Sequence, residues 1–243
     1  MPTYIRSDFL TEKKFHYCPG CTHGIVHRII ADVLGRLTQR ENVIGVASVG
    51  CSVFAYDYFN FDMQQAAHGR APAVATGIKR VHPDKLVFTY QGDGDLASIG
   101  LAEIVHAAAR NENITVIFIN NGIYGMTGGQ MAPTTLTGQG TTTSPEGRAV
   151  QHGFPLKICE MLSALEGTQY IERTSSHDVR HIIMTEKAIE RAFARQMQGK
   201  GFSLVEVLAG CPTNLRQTMR EMNDYIKHQM AGYFTIGKFK GEA

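Results

Sequence analysis

The chain has 243 residues, 43% hydrophobic and 19% charged, enough for one packed α/β unit or two small ones. A formal net charge of +2 and the lack of a long basic run argue against nucleic acid or an anionic membrane as partner. No run of about 18 apolar residues occurs, which argues against a spanning helix.

Helical and strand patterns alternate. Residues 23–39 carry Ile25, Val26, Ile29, Ile30, Val33, Leu34 and Leu37 at helical spacing. The runs 43–48 and 86–90 read as buried strands, and the alanine-rich 96–110 as a helix. ITVIFI at 114–119 is the clearest strand. A helix over 155–165, a strand over 169–172, a long helix over 178–197 and a strand over 202–208 follow. This order predicts an α/β fold, a mostly parallel sheet with helices on both faces, as a single domain over 1–243. Such sheets bind ligands beyond the carboxyl ends of their strands. Cys51, Asp93, Asn120 and Cys211 each follow a predicted strand.

Two stretches break the alternation. Residues 127–153 are rich in Gly, Thr, Ser and Pro without apolar periodicity, which reads as a functional loop, a lid or a partner contact. The tail over 217–243 contains Tyr225, Ile226, Met230, Tyr233, Phe234, Ile236 and Phe239, and is expected to dock on its own domain or on another chain. The opening MPTYIRSDFLTEKKFHY lacks the apolar segment of a secretory signal, so the expected setting is cytoplasmic. There, an odd set of five cysteines points to metal binding or catalysis rather than disulfides.

Four of the cysteines have the makings of a metal centre: Cys18 and Cys21 in YCPGC, Cys51 in SVGCS and Cys211 in GCPTN. The C-x-x-C spacing lets two thiolates reach one centre. An iron–sulfur cluster and a tetrahedral zinc ion both take four cysteines, although structural zinc sites usually pair two such knuckles and only one is present. Cys159 lies on an apolar helical face and reads as core. His23 reads as polarity at a helix N-terminus, and His106 as structural.

Between the third and fourth cysteines, the strand 86–90 runs into Gln91-Gly92-Asp93-Gly94-Asp95, and ITVIFI runs into Asn120-Asn121-Gly122-Ile123. Glycines such as Gly92 and Gly94 let backbone approach phosphate oxygens, and amides at a helix start add positive potential. Asp93, the Asn121 side chain and a carbonyl near Ile123 offer oxygen ligands to Mg²⁺, which takes few from protein and the rest from phosphate and water. Either motif alone could be an ordinary turn; their co-occurrence after two strands favours a magnesium-diphosphate site.

GDGD followed by NN resembles the signature of thiamine diphosphate enzymes. With the cysteines, the chain is similar to the β subunit of 2-oxoacid:ferredoxin oxidoreductases, through YCPGCTHG, VGCSVF, AAHGRAPAVATGIK, TYQGDGD, INNGIYGMTGGQMAPTT and SLVEVLAGCPTN. The likeness covers most of the chain and weakens before His16 and after Asn214. It implies a thiamine diphosphate-binding fold, with Mg²⁺ on Asp93, Asn121 and the Ile123 carbonyl. Gly92, Gly94, Asp95, Gly125 and Met126 would hold the cofactor, and Gly50, Cys51 and Ser52 would touch both cofactor and cluster. His68 and Arg70 would lie at the reacting end as catalytic groups. Cys18, Cys21, Cys51 and Cys211 would ligate one 4Fe–4S cluster. The implied reaction decarboxylates a 2-oxoacid oxidatively to acyl-CoA and CO₂ while reducing ferredoxin. HGRAPAVATGIKR and GGQMAPTT are more like enzymes for 2-oxoglutarate or branched-chain 2-oxoacids than for pyruvate. No segment offers the pyrimidine-binding half or its activating glutamate, so an α-type partner subunit is implied, in a hetero-oligomer. The alternatives are pyruvate as substrate, a non-redox thiamine diphosphate enzyme subunit, which leaves the cysteines unused, and a zinc-stabilised binding module.

Overall fold

The computed structural model describes residues 5–241; residues 1–4 and 242–243, the outer ends of the N-terminal segment and of the tail, lie outside it. In chain order the elements are α1 (His23–Leu37), β1 (Val43–Ala47), α2 (Ala55–Tyr58), β2 (Asp62–Gln65), α3 (Ala71–Val81), β3 (Leu86–Gly92), α4 (Leu101–Ala109) and β4 (Thr115–Asn120). A short hairpin, β5 (Ile123–Tyr124) and β6 (Gln130–Met131), precedes α5 (Ile158–Ser163), β7 (Thr168–Ser175), α6 (Val179–Met197) and β8 (Phe202–Leu208). The chain ends in α7 (Pro212–Leu215), α8 (Met219–Tyr225), α9 (Ala231–Tyr233) and β9 (Gly237–Lys240).

The main sheet has seven strands in the order β2-β1-β3-β4-β8-β7-β9. All neighbours pair in parallel except β9, which runs antiparallel on the β7 edge. The central strands are apolar on both faces because helices cover both. Phe88, Tyr90, Ile117, Ile119, Val205 and Val207 pack on one side with Ile30, Leu34, Ile189 and Phe193 of α1 and α6. Val87, Val116, Phe118 and Leu204 pack on the other with Ala75, Ile104 and Ile158 of α3, α4 and α5. Alternate residues of one strand thus serve opposite cores, each buried large side chain contributing about 1.5–3 kcal/mol.

Register determines where the chemistry lies. Ala47 pairs with Tyr90, Gly92 with Ile119, and Asn120 with Leu208. The carboxyl ends of β1, β3, β4 and β8 are therefore level, and the segments carrying Cys51, Asp93, Asn121 and Cys211 leave the sheet along one edge.

Four features depart from the sequence expectations. Strand β2 (DMQQ) is polar and mostly exposed, as befits a sheet edge, and so carries no apolar signal. Helix α3 begins right after the HGR segment, which its glycine and β-branched residues obscured. The helix expected over 96–110 is split: a π-helical turn spans Asp95–Ile99, and α4 follows Gly100. A Cβ on Gly100 would lie 2.7 Å from the Asp95 and Gly69 carbonyl oxygens, so only glycine permits this backbone crossing. Strand β7 is longer than 169–172 because its buried extension carries Arg173, Thr174 and Ser175.

The loop 127–153 is folded onto the body. Buried Arg148 gathers it by donating to the carbonyls of Ala132, Pro133, Thr135, Gly153 and Phe154 at 2.8–3.2 Å. The tail packs on its own chain: Met222, Tyr225, Ile226, Met230 and Phe234 bury themselves with Leu136 and Leu208.

Candidate active site

A cleft opens where the level strand ends meet, lined by His23, Val49, Gly50, Cys51, Ser52, His68, Gly92, Asp93, Gly94, Asp95, Asn121, Ile123, Tyr124, Gly125, Met126 and Thr127. Every expected diphosphate or magnesium residue is therefore on its wall. Arg70 is not: its guanidinium lies at the start of α3, 2.6 Å from Glu103 and 3.0 Å from the Ile99 carbonyl.

Asp93 is 2% exposed. One carboxylate oxygen accepts the Gly94 amide at 2.8 Å; the other accepts the Gly122 amide at 2.7 Å and the Thr134 hydroxyl at 2.6 Å. Burial pushes its pKa up to about 6, against the opposing pull of these donors. Among the described residues no cationic side chain pairs with it, so a buried carboxylate facing a cleft suits a divalent cation, which would favour the ionised form. Asn121 lies alongside, its side-chain oxygen accepting the Ile123 amide at 3.1 Å. Mg²⁺ would be held by Asp93, Asn121 and the Ile123 carbonyl, and the donor chemistry fits. The ring of Tyr124 lies over Gly94, where a Cβ would come within 2.2 Å of it.

Asp95 lines the cleft and also organises its wall. Its carboxylate accepts from Ser48 (2.8 Å), His68 Nδ1 (2.6 Å), the Gly69 amide (2.6 Å) and Gln91 Nε2 (2.5 Å). The side chain thus ties β1, the His68 turn and β3 together. His68 is held through Nδ1, which leaves Nε2 as its free nitrogen on the cleft wall.

Two of the sulfurs meet at one glycine of the cleft wall. A Cβ built on Gly125 would lie 3.3 Å from Cys51 Sγ and 3.6 Å from Cys211 Sγ, so these two thiols flank one glycine of the cleft. Burial pushes the Cys51 thiol up to about 12, and Cys21, Cys211 and Cys18 each add to that push. Cys21 is pushed up to about 11 by burial, with Cys211 and Cys18 contributing and the His23 amide opposing as a donor to the sulfur. All four thiols therefore sit in one another's field. Yet no three of them lie within 4.8 Å of one another. A tetrahedral zinc ion with Zn–S of about 2.3 Å would space its sulfurs about 3.8 Å apart. As placed, the set is more open than a tetrahedral zinc site requires. Asn214 donates to Cys211 Sγ at 3.2 Å, an interaction that tunes iron–sulfur clusters. Gly20, at φ +82°, turns the Cys18–Cys21 loop under Met219 of α8. Cys159 is in the core, donating to Glu206 at 2.9 Å.

Sequence reasoning gave Thr134 no role, although it lies within the quoted GGQMAPTT segment, and gave His23 too little. His23 lines the cleft, stacks on Tyr17 and bonds the Tyr90 hydroxyl at 2.6 Å. Its position directly after the cysteine pair was the available signal.

Residues 48–207 match the family described as "Thiamine pyrophosphate enzyme, C-terminal TPP binding domain". The chain is 50% identical over 226 residues to ketoisovalerate oxidoreductase subunit VorA of Methanothermobacter thermautotrophicus, covering 93% of this chain but 47% of that protein. It thus spans about half the length of that relative. It is 39% identical to 2-oxoglutarate synthase subunit KorB of Archaeoglobus fulgidus, covering 92% of this chain and 79% of that one. Among solved structures, 2-oxoglutarate:ferredoxin oxidoreductase from Magnetococcus marinus, with 2-oxoglutarate, coenzyme A and succinyl-CoA bound, shares the fold at 23% identity. Its TM-score is 0.79, over 100% of this chain and 87% of that one. The chain belongs to the family of thiamine diphosphate-binding β subunits of 2-oxoacid:ferredoxin oxidoreductases.

Proposed function

We propose that this chain is the catalytic subunit of a 2-oxoacid:ferredoxin oxidoreductase, binding Mg²⁺–thiamine diphosphate in the Asp93 cleft and one 4Fe–4S cluster on Cys18, Cys21, Cys51 and Cys211. The carrying observation is that Cys51 and Cys211 flank Gly125 on the wall of the cleft that holds Asp93. When bound, thiamine diphosphate supplies the electron sink for decarboxylation, and the cluster takes electrons one at a time.

The chain's own residues have distinct parts. Asp93, Asn121 and the Ile123 carbonyl hold the metal that anchors the diphosphate. Thr134 and the Gly122 amide fix the Asp93 carboxylate so that it need not reorient on binding. Asp95 orients His68, whose ring lines the cleft. Arg70, paired with Glu103, braces the start of α3 against α4. Gly50, Ser52 and Met126 shape the wall near the sulfurs.

The substrate is a 2-oxoacid taken to its acyl-CoA. The greater identity to VorA than to KorB favours a branched-chain 2-oxoacid over 2-oxoglutarate. An α-type subunit supplies the pyrimidine half and the activating glutamate; ferredoxin and coenzyme A complete the set of partners. Among the described residues no helix is long and apolar enough to cross a membrane.

Asp93→Ala tests the reading directly. It should abolish Mg²⁺-dependent retention of thiamine diphosphate and leave iron content unchanged. Unaltered cofactor affinity in that variant would count against the assignment.

A further inference from the structure

We propose that His177, Asp178 and His181 form a second metal site, for a divalent transition-metal ion of the Zn²⁺ or Ni²⁺ type, where β7 passes into α6. Each of the three brings one ligand atom within 4.8 Å of the other two. Among the described residues no other His, Cys, Asp or Glu set of three or more does so. None of the three lines the Asp93 cleft, so the site is separate from the one described above.

His177 is the strongest element. Its side chain is 5% exposed. Nδ1 is bonded to Ser175 Oγ at 2.7 Å, while Nε2 lies 3.3 Å from Asp178 Oδ2 without forming a hydrogen bond. A mostly buried ring fixed through one nitrogen by an outer partner, with the other turned toward a carboxylate, suits a metal-ligating histidine. The His181 ring lies 4.1 Å from that of His177, and its Nδ1 bonds Asp178 Oδ1 at 2.7 Å. Asp178 also caps α6 by accepting the His181 amide at 2.8 Å.

Imidazole and carboxylate together suit Zn²⁺ and Ni²⁺ better than Mg²⁺ or Ca²⁺. A tetrahedral site with bonds of about 2.0–2.2 Å spaces its ligands about 3.4 Å apart, so small rotations close this set. The positive end of α6 opposes a cation, and the Asp178 carboxylate offsets it. Water fills the fourth position. Such an ion would fasten the turn between β7 and α6.

The test is anaerobic calorimetric titration of the untagged complex with Ni²⁺ and with Zn²⁺. The complex is first saturated with Mg²⁺–thiamine diphosphate and carries its cluster, so that those sites are filled. One equivalent should bind. His177→Ala and His181→Ala should each weaken it by about tenfold or more. Asp178→Asn keeps a helix cap but loses the charge, so it should also weaken binding while thermal stability stays near wild type. His106→Ala should change nothing. A wild type that takes up no equivalent, or an equivalent that survives all three site variants at full affinity, overturns the proposal.

Discussion

The Thr134 hydroxyl donates to Asp93 Oδ2 at 2.6 Å, across 41 residues of sequence. The long loop therefore reaches under the strand ends and holds the carboxylate that faces the cleft. It buttresses the site rather than swinging over it, because Thr135 and Gln139 also anchor it to the Gly122 carbonyl. Thr134→Val keeps the shape and removes the bond. A hydrogen bond to a charged group contributes about 1.5–3 kcal/mol, so Mg²⁺-dependent cofactor affinity should fall by roughly tenfold or more. Thr134→Ser should recover most of it. Calorimetry with thiamine diphosphate and Mg²⁺ decides, and equal affinity in the valine variant would dismiss the buttress.

Arg173 is the second structural device. Its side chain has no exposure, and it donates to Glu206 at 2.8 Å and to both Glu160 oxygens at 2.9 and 2.6 Å. It also donates to the Thr235 carbonyl and lies over the Phe234 and Phe239 rings, so it ties the tail to the sheet. Glu206 in turn accepts from Asn120, next to the proposed metal ligand Asn121. Arg173→Met leaves the Glu206 charge buried without its cation, and should cost about 3–5 kcal/mol in chemical denaturation. A loss below about 1 kcal/mol, the range of exposed ion pairs, would show that the triad does not stabilise the fold.

Much of this was legible in the sequence, and the limits have physical causes. ITVIFI announces β4 because a strand covered on both faces must be apolar throughout. GDGD and NN reveal the cleft because a magnesium-diphosphate site needs oxygen ligands beside close-approaching backbone. β2 and β9 were hidden because edge strands can be polar. Thr134 was hidden because its role depends on a tertiary contact that leaves no spacing rule. Arg70 looked like a cleft residue because it lies close to His68, but it caps α3 and its side chain turns to Glu103 of α4.

The site is expected to lie at a subunit interface. Supplied with Mg²⁺, thiamine diphosphate, cluster, 2-oxoacid, coenzyme A and ferredoxin, this chain alone should give no turnover, and the complex with its α-type partner should. Comparing ferredoxin reduction by the two preparations checks this, and comparable rates would remove the need for the partner.

The two buried cysteines should behave oppositely. Cys211→Ser removes a cluster ligand and should lower iron content sharply. Cys159→Ser keeps a donor to Glu206 and should leave iron unchanged. Iron assays on both, purified anaerobically, separate the roles, and two variants with full iron would contradict the ligand assignment.

The most direct measurement is the metal and acid-labile sulfide content of the chain after anaerobic reconstitution. The account predicts about four iron and four sulfide per chain, as four cysteines around one cluster require, with one reducible centre. A chain that takes up zinc in preference, or that binds no iron with its four cysteines intact, would contradict it.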